Sequence, residues 1–128
     1  MTPFLVFLGA GIGGVARYGV GRLLSTQSSA FPWNTLLVNV SGSLLITLFA
    51  AVATQKGLTP QVQAFLTIGI CGGYTTFSSY SYETAVLIEE GQFGRAAAYS
   101  IASVVIALVA IFAGFMLARE LIAFRERF

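Results

Sequence analysis

The chain has 128 residues, 56% of them hydrophobic and only 9% charged, against about 25% charged in an ordinary soluble domain, so a soluble globule of this composition would precipitate. There is no His, no Asp and one cysteine, Cys71, which excludes an intrachain disulfide framework or thiolate cluster and removes the residues most hydrolases use for proton transfer and metal ligation. The net charge of +2 comes from groups lying mainly between and after the apolar blocks, where they read as topology determinants rather than as a nucleic-acid patch.

Four apolar blocks, at about 4–24, 33–53, 62–88 and 96–118, reach the roughly 20 residues a helix needs to cross a bilayer. The expected fold is therefore an all-α membrane protein, a single four-helix transmembrane domain over 1–128 with both termini on one side. Residues 1–20 look in part like a signal peptide, but they lack a charged n-region and place Arg17 where a small-residue cleavage site belongs, so this block reads as a retained first span. Within it Gly9, Gly13, Arg17 and Gly21 recur every four residues and share one helix face. The glycines read as a packing face. Arg17, near the end of the span, either snorkels or draws an anion into a vestibule.

The connector 25–30 is small and polar, and Phe31, Pro32 and Trp33 form an aromatic turn at the interface. In the second block Thr35, Asn39, Gly42 and Ser43 fall on one face. Asn39 is the sharp residue, because an amide in hydrocarbon needs partners, either a neighbouring helix or a pore. Thr59 is placed to cap the third block, with Pro60 at its first helical position.

The third block carries no charge from 57 to 82, yet residues 72–81 read Gly-Gly-Tyr-Thr-Thr-Phe-Ser-Ser-Tyr-Ser. A glycine pair followed by hydroxyls predicts a helix break centred on Gly72 and Gly73. In lipid such a break is tolerated only where protein, water or an ion satisfies the freed backbone. Beyond it Phe77, Tyr80, Ser81 and Thr84 share a face. Glu83 sits deeper than Glu89 and Glu90, which read as solvated, and is a functional candidate on that ground. In the fourth block Ala96, Tyr99, Ser103, Ala110 and Gly114 form a small-residue stripe with two hydroxyls, which line a passage or back-bond to their own helix. The tail from Arg119 on is amphipathic and reads as a helix end at the headgroups.

Lys56, Arg119, Arg125 and Arg127 collect on one side, against Arg22 and Arg95, with Arg17, on the other, a weak bias towards cytoplasmic termini. The candidate lining, Asn39, Thr75, Thr76, Phe77, Ser78, Ser79, Tyr80, Tyr99 and Ser103, offers amide and hydroxyl groups without fixed charge. Composition alone does not choose between an anion and a cation for it. Four short spans are too few to enclose both a pore and a packed core, so an oligomer is expected.

At residues 13–18 (Gly-Gly-Val-Ala-Arg-Tyr), at 32–36 (Pro-Trp-Asn-Thr-Leu) followed by Asn39 and Gly42, and above all at 72–78 (Gly-Gly-Tyr-Thr-Thr-Phe-Ser) ending in Glu83 and Thr84, the chain resembles the small Fluc-type (CrcB) fluoride channels over nearly its whole length. The resemblance implies an antiparallel, dual-topology homodimer with two fluoride pathways lined by both subunits, in the bacterial inner membrane. It implies a structural sodium ion (Na+) at the dimer interface, held by the backbone carbonyls of Gly72 and Thr75 of each subunit. Fluoride would pass Asn39 and the ring edges of Phe77 and Tyr80, with further contacts from Ser78, Ser79, Tyr99 and Ser103, Glu83 near one end and Arg17 at the aqueous vestibule. Two positions depart from the family pattern: Tyr80 stands where a second phenylalanine is usual, and Ala107 where many relatives carry serine. The implied role is passive export of fluoride that entered as the neutral acid. A proton-coupled multidrug exporter of similar size would need an acid in the first span, which instead holds Arg17. A non-transporting accessory subunit would leave the hydroxyl cluster unexplained.

Overall fold

The computed structural model of the chain describes residues 1–25 and 31–128, so the polar connector expected at 25–30 lies, from Thr26 on, outside the described residues. Every element among them is helical. Helix α1 (Thr2–Leu24) starts with a proline in its first turn and carries Arg22 in its last, where a cation suits the negative end of the helix dipole. Helix α2 (Trp33–Lys56) follows Pro32 and ends on Gly57, whose φ of 59° and ψ of 40° let its N–H return to Ala53 and Thr54 carbonyls. This is the left-handed cap glycine adopts without steric cost.

The run that follows is helical in pieces. Thr59 accepts from the Val62 N–H and Pro60 opens α3 (Pro60–Ala64), as expected. A seven-residue π-helix (Phe65–Cys71) leads into the short α4 (Gly72–Tyr74). Thr75 and Thr76 are extended, with ψ of 159° and 117°. Helix α5 (Phe77–Glu89) resumes with Thr76 as its cap, and Gly91, at φ 73°, turns the chain into α6 (Phe93–Glu126).

The interruption thus falls at Thr75 and Thr76, beyond the position the glycine pair predicts. Gly72 has helical torsions, and both glycines lie within α4. Their smallness serves packing instead: a Cβ on Gly73 would come within 2.8 Å of the Ala10 Cα on α1. The helix is interrupted at two extended threonines, and the backbone of the second, Thr76, is held at both its N–H and its C=O by the Asn39 side chain.

Two parallel pairs organise the bundle. Helix α1 lies along the π-helix and α4, with Gly9 against Phe65 and Gly69 and Gly13 against Gly73 and Tyr74. Helix α2 lies along α6, Leu36 meeting Ala96 and Tyr99 in the buried core and Thr47 meeting Gly114 further along. Because contacts advance together in both chains, the members of each pair run the same way. Helix α5 closes the second pair through Leu87 and Tyr80, which pack on Tyr99.

Helices α1, α2 and α6 are each long and apolar enough to cross a membrane. Their outer faces carry large apolar side chains, among them Phe7, Val15, Ile101, Phe112 and Met116, each 64–71% exposed, which suits hydrocarbon and not water. Helix α6 has 34 residues, roughly 50 Å at the α-helical rise and well beyond a bilayer core of about 30 Å. The charged tail is therefore the unbroken continuation of α6 as far as Glu126.

Candidate functional site

The polar side chains converge on Thr75 and Thr76. From α2, the Asn39 side chain grips Thr76 twice: its Nδ2 donates to the Thr76 carbonyl at 3.0 Å and its Oδ1 accepts from the Thr76 N–H at 2.8 Å. A side-chain amide has one acceptor oxygen and two N–H donors, so this pairing leaves one N–H of Asn39 for another partner. Two residues along α2, the Ser41 hydroxyl lies 2.9 Å from the Tyr74 hydroxyl. Helix α2 therefore holds the chain on both sides of Thr75. Gly42 leaves room for the Thr75 and Tyr74 side chains, its absent Cβ falling 3.2 Å from the Tyr74 ring.

Thr76 is also the cap of α5. Its Oγ1 accepts from the Ser79 N–H at 3.1 Å and lies 3.2 Å from both the Ser78 and Ser79 hydroxyls. From α1, the Arg17 Nε donates to the Gly73 carbonyl at 3.3 Å, which brings a fixed positive charge to the same interruption.

Further along α5, Glu83 is bound at both oxygens. The Thr35 hydroxyl donates to Oε1 and the Tyr99 hydroxyl to Oε2, each at 2.7 Å, an ordinary length for an O–H···O hydrogen bond. Tyr99 is fully buried and its ring sits 5.3 Å from Tyr80 and 5.5 Å, edge-on, from Phe31. Tyr80 in turn lies 5.4 Å from the Phe77 ring, so the three expected pathway aromatics form one chain of contacts. Phe77 ends that chain 79% exposed.

Two hollows flank these residues. One, of about 140 Å³, is lined by Arg17, Asn34, Thr35, Thr76, Ser79 and Glu83 among others. The other is an open groove of about 550 Å³, lined by Asn39, Thr75, Thr76, Phe77, Tyr80 and Ser103 with apolar residues of α2 and α6. Thr76 borders both, so the residue that Asn39 grips is the partition between them. Of the expected site residues, Arg17, Ser79 and Glu83 border the small hollow and Asn39, Phe77, Tyr80 and Ser103 the groove. Ser78 and Tyr99 border neither. Gly72 and Thr75, the expected sodium ligands, both line the groove.

Ser103 differs from the other helix hydroxyls. Ser41, Ser43, Thr47, Thr67 and Thr84 each donate to a carbonyl three or four residues back. The Ser103 hydroxyl is buried and has no hydrogen-bond partner among the described residues. Its back-bond, the simpler expectation, is not made.

Sequence reasoning left Thr35 and Tyr74 without a role. Thr35 is one turn from Asn39 on the same face, a visible signal, but its partner Glu83 is 48 residues away. Tyr74 and Ser41 carry no local pattern that pairs them.

A bundle of apolar helices long enough to cross a membrane, with its polar residues gathered at an interrupted helix between two hollows, is a multi-pass membrane protein. The chain matches the family described as CrcB-like protein, Camphor Resistance (CrcB), over residues 4–115. It is 49% identical over 121 residues to a protein named fluoride-specific ion channel FluC 1 from Nitrobacter hamburgensis, covering 91% of this chain and 94% of that one. It is 46% identical to the fluoride-specific ion channel FluC of Rhodopseudomonas palustris, over 94% and 99% of the two chains. A FluC of Thermus thermophilus is 41% identical over 92% and 95%. This chain belongs to the CrcB family.

Proposed function

We propose that the protein is a fluoride-selective channel that lets fluoride leave the cytoplasm passively across the bacterial inner membrane. The observation that carries this reading is 49% identity, over 91% of the chain, to a protein named as a fluoride-specific ion channel. On this reading it is a channel and not an enzyme.

In the working unit four spans cross the bilayer, the third being the helical pieces from Pro60 to Glu89 with the interruption inside it. Two antiparallel subunits, inserted in both orientations, pair across the groove. Support comes from the groove itself, which is open and apolar on one side and carries Asn39 and Tyr80 on its wall. A single subunit does not enclose an ion there, and a second would.

Fluoride is a small, strongly hydrated anion and enters a dry site only where donors replace its water. The small hollow offers the Arg17 guanidinium, the Asn34 amide and the Ser79 hydroxyl. At the Thr76 partition the remaining Asn39 N–H is available. In the groove the edges of Phe77 and Tyr80 present the positive rim of their quadrupoles, and the unpartnered Ser103 hydroxyl is a donor. Glu83 would repel an anion if its oxygens were bare. Thr35 and Tyr99 bind one oxygen each and turn that carboxylate into an anchor for α2 and α6.

The family resemblance adds a sodium ion at the Gly72 and Thr75 carbonyls, and the residues fit one. Among the described residues no side chain and no turn or cap N–H donates to either carbonyl, and backbone carbonyls are the ligands hard cations take at unwound helix. When bound, the ion supplies fixed positive charge that satisfies these acceptors within the dimer.

Reconstitution into liposomes loaded with fluoride or chloride, read with ion-selective electrodes, tests the proposal. Fluoride release at a rate far above chloride is expected. Equal release of the two ions, or none from well-folded protein, overturns it.

A further inference from the structure

In an uninterrupted α-helix the Gly72 carbonyl accepts the Thr76 N–H, and the Thr75 carbonyl accepts the Ser79 N–H, since each carbonyl is paired with the amide four residues on. Both amides are engaged elsewhere in this protein. The Thr76 N–H donates to Asn39 Oδ1 at 2.8 Å, and the Ser79 N–H donates to Thr76 Oγ1 at 3.1 Å. Of the two intervening carbonyls, Gly73 and Tyr74, that of Gly73 loses the Phe77 N–H to the same interruption but receives the Arg17 Nε at 3.3 Å. Side chains have thus removed the helical donors from the Gly72 and Thr75 carbonyls and supplied a substitute to that of Gly73.

We infer that Asn39 and Thr76 are positioning residues that make the cation site, by holding the amides that would otherwise close onto the Gly72 and Thr75 carbonyls. The inference rests on the sodium reading above and adds to it the residues that create the ligands. A freed carbonyl in a dry environment must find another partner, and the Arg17 Nε reaches Gly73 rather than either of these two. The extended torsions of Thr75 and Thr76 keep the amides away, and the two-point grip of Asn39 on Thr76 holds those torsions.

Thr76 separates this role from simple capping. As the cap of α5 its hydroxyl is worth something to stability whichever way the Thr75 carbonyl is used. Only if the hydroxyl also keeps Ser79 N–H off that carbonyl does its removal cost a cation ligand. Valine has the shape of threonine without the acceptor, and serine keeps the acceptor without the methyl group.

The test uses the purified full-length protein in detergent, washed into sodium-free buffer with N-methylglucamine as the only cation. Two quantities are measured on monodisperse samples: sodium retained per chain, by atomic emission, and the shift of the unfolding temperature as sodium is returned. The wild-type protein should retain sodium or be stabilised by it. Thr76→Val should need about tenfold more sodium for the same stabilisation, the loss expected when one ligand to a charged group is withdrawn, and Thr76→Ser should respond as wild type. A Thr76→Val protein with wild-type sodium dependence overturns the inference and leaves the sodium reading standing. A Thr76→Ser protein as impaired as Thr76→Val also overturns it, since the acceptor would then not be the cause. A wild-type protein indifferent to sodium in both measurements removes the sodium reading and the inference with it, while fluoride flux in liposomes remains a separate question.

Discussion

The Tyr99 hydroxyl donates to Glu83 Oε2 at 2.7 Å from a side chain that is fully buried, joining α6 to α5 beside the small hollow. Thr35 does the same from α2 at the other oxygen, so three helices meet at one carboxylate. Tyr99→Phe keeps the ring contacts with Phe31 and Tyr80 and removes only the hydroxyl. A half-buried acceptor left without its donor costs about 1 kcal/mol, and Thr35→Val should cost a similar amount. The double variant should lose measurably less or more than the sum, because both residues act on one group. Thermal unfolding of the purified proteins measures all three, and strict additivity would show that the two bonds do not share the carboxylate.

Asn39→Asp should cut fluoride flux by roughly a hundredfold or more, the scale on which a like charge a few ångströms away in a low-dielectric site acts. An ionised carboxylate still accepts the Thr76 N–H, but it has no N–H to donate to the Thr76 carbonyl and sets two negative oxygens against each other there. Flux from liposomes under a fixed gradient is the measurement. Wild-type flux in this variant would take Asn39 out of both the pathway and the grip on Thr76.

The face shared by Gly9, Gly13, Arg17 and Gly21 was legible from spacing alone, and the first two glycines do pack as that pattern implies. So were the helical character, the long apolar helices α1, α2 and α6, and the cap at Thr59, because each depends on residues within a turn of one another. The site of the interruption was not. Gly72 and Gly73 are the local signal for a weak helix, but the helix fails where Asn39, 37 residues away, takes the Thr76 amide. Likewise Glu83 was singled out by its depth, whereas its being held at both ends needed the convergence of α2, α5 and α6. Long-range hydrogen bonds leave no period in the sequence, and these decide the site.

Gly9→Ala and Gly13→Ala should each destabilise the protein by about 1–3 kcal/mol, as overpacking does. The added Cβ would lie 2.6 Å from the Phe65 carbonyl oxygen in the first case and 2.6 Å from the Tyr74 nitrogen in the second, both backbone atoms unable to rotate away. Gly11→Ala meets nothing within 4 Å and should be neutral or slightly stabilising, since alanine is the better helix former. Unfolding temperatures of the three variants decide it. Equal behaviour would mean that α1 does not pack against the π-helix and α4 through this face.

Ser103→Ala separates stability from function more sharply than any other substitution at the groove. A buried hydroxyl with no partner contributes nothing to folding that alanine lacks, and its removal relieves an unmet donor and acceptor. The unfolding temperature should therefore hold or rise slightly, with a free-energy change within about 0.5 kcal/mol. Fluoride flux should nevertheless fall about tenfold, because the hydroxyl's value is a donor to an ion that has shed its water, an interaction stronger than one between neutral groups. Measured together, the two readouts discriminate: a side chain kept for packing loses stability when cut, and one kept for the ion loses flux alone. Unchanged flux would place the anion elsewhere along the groove and leave Ser103 as a small residue accommodating the approach of α2 and the Thr75–Thr76 segment.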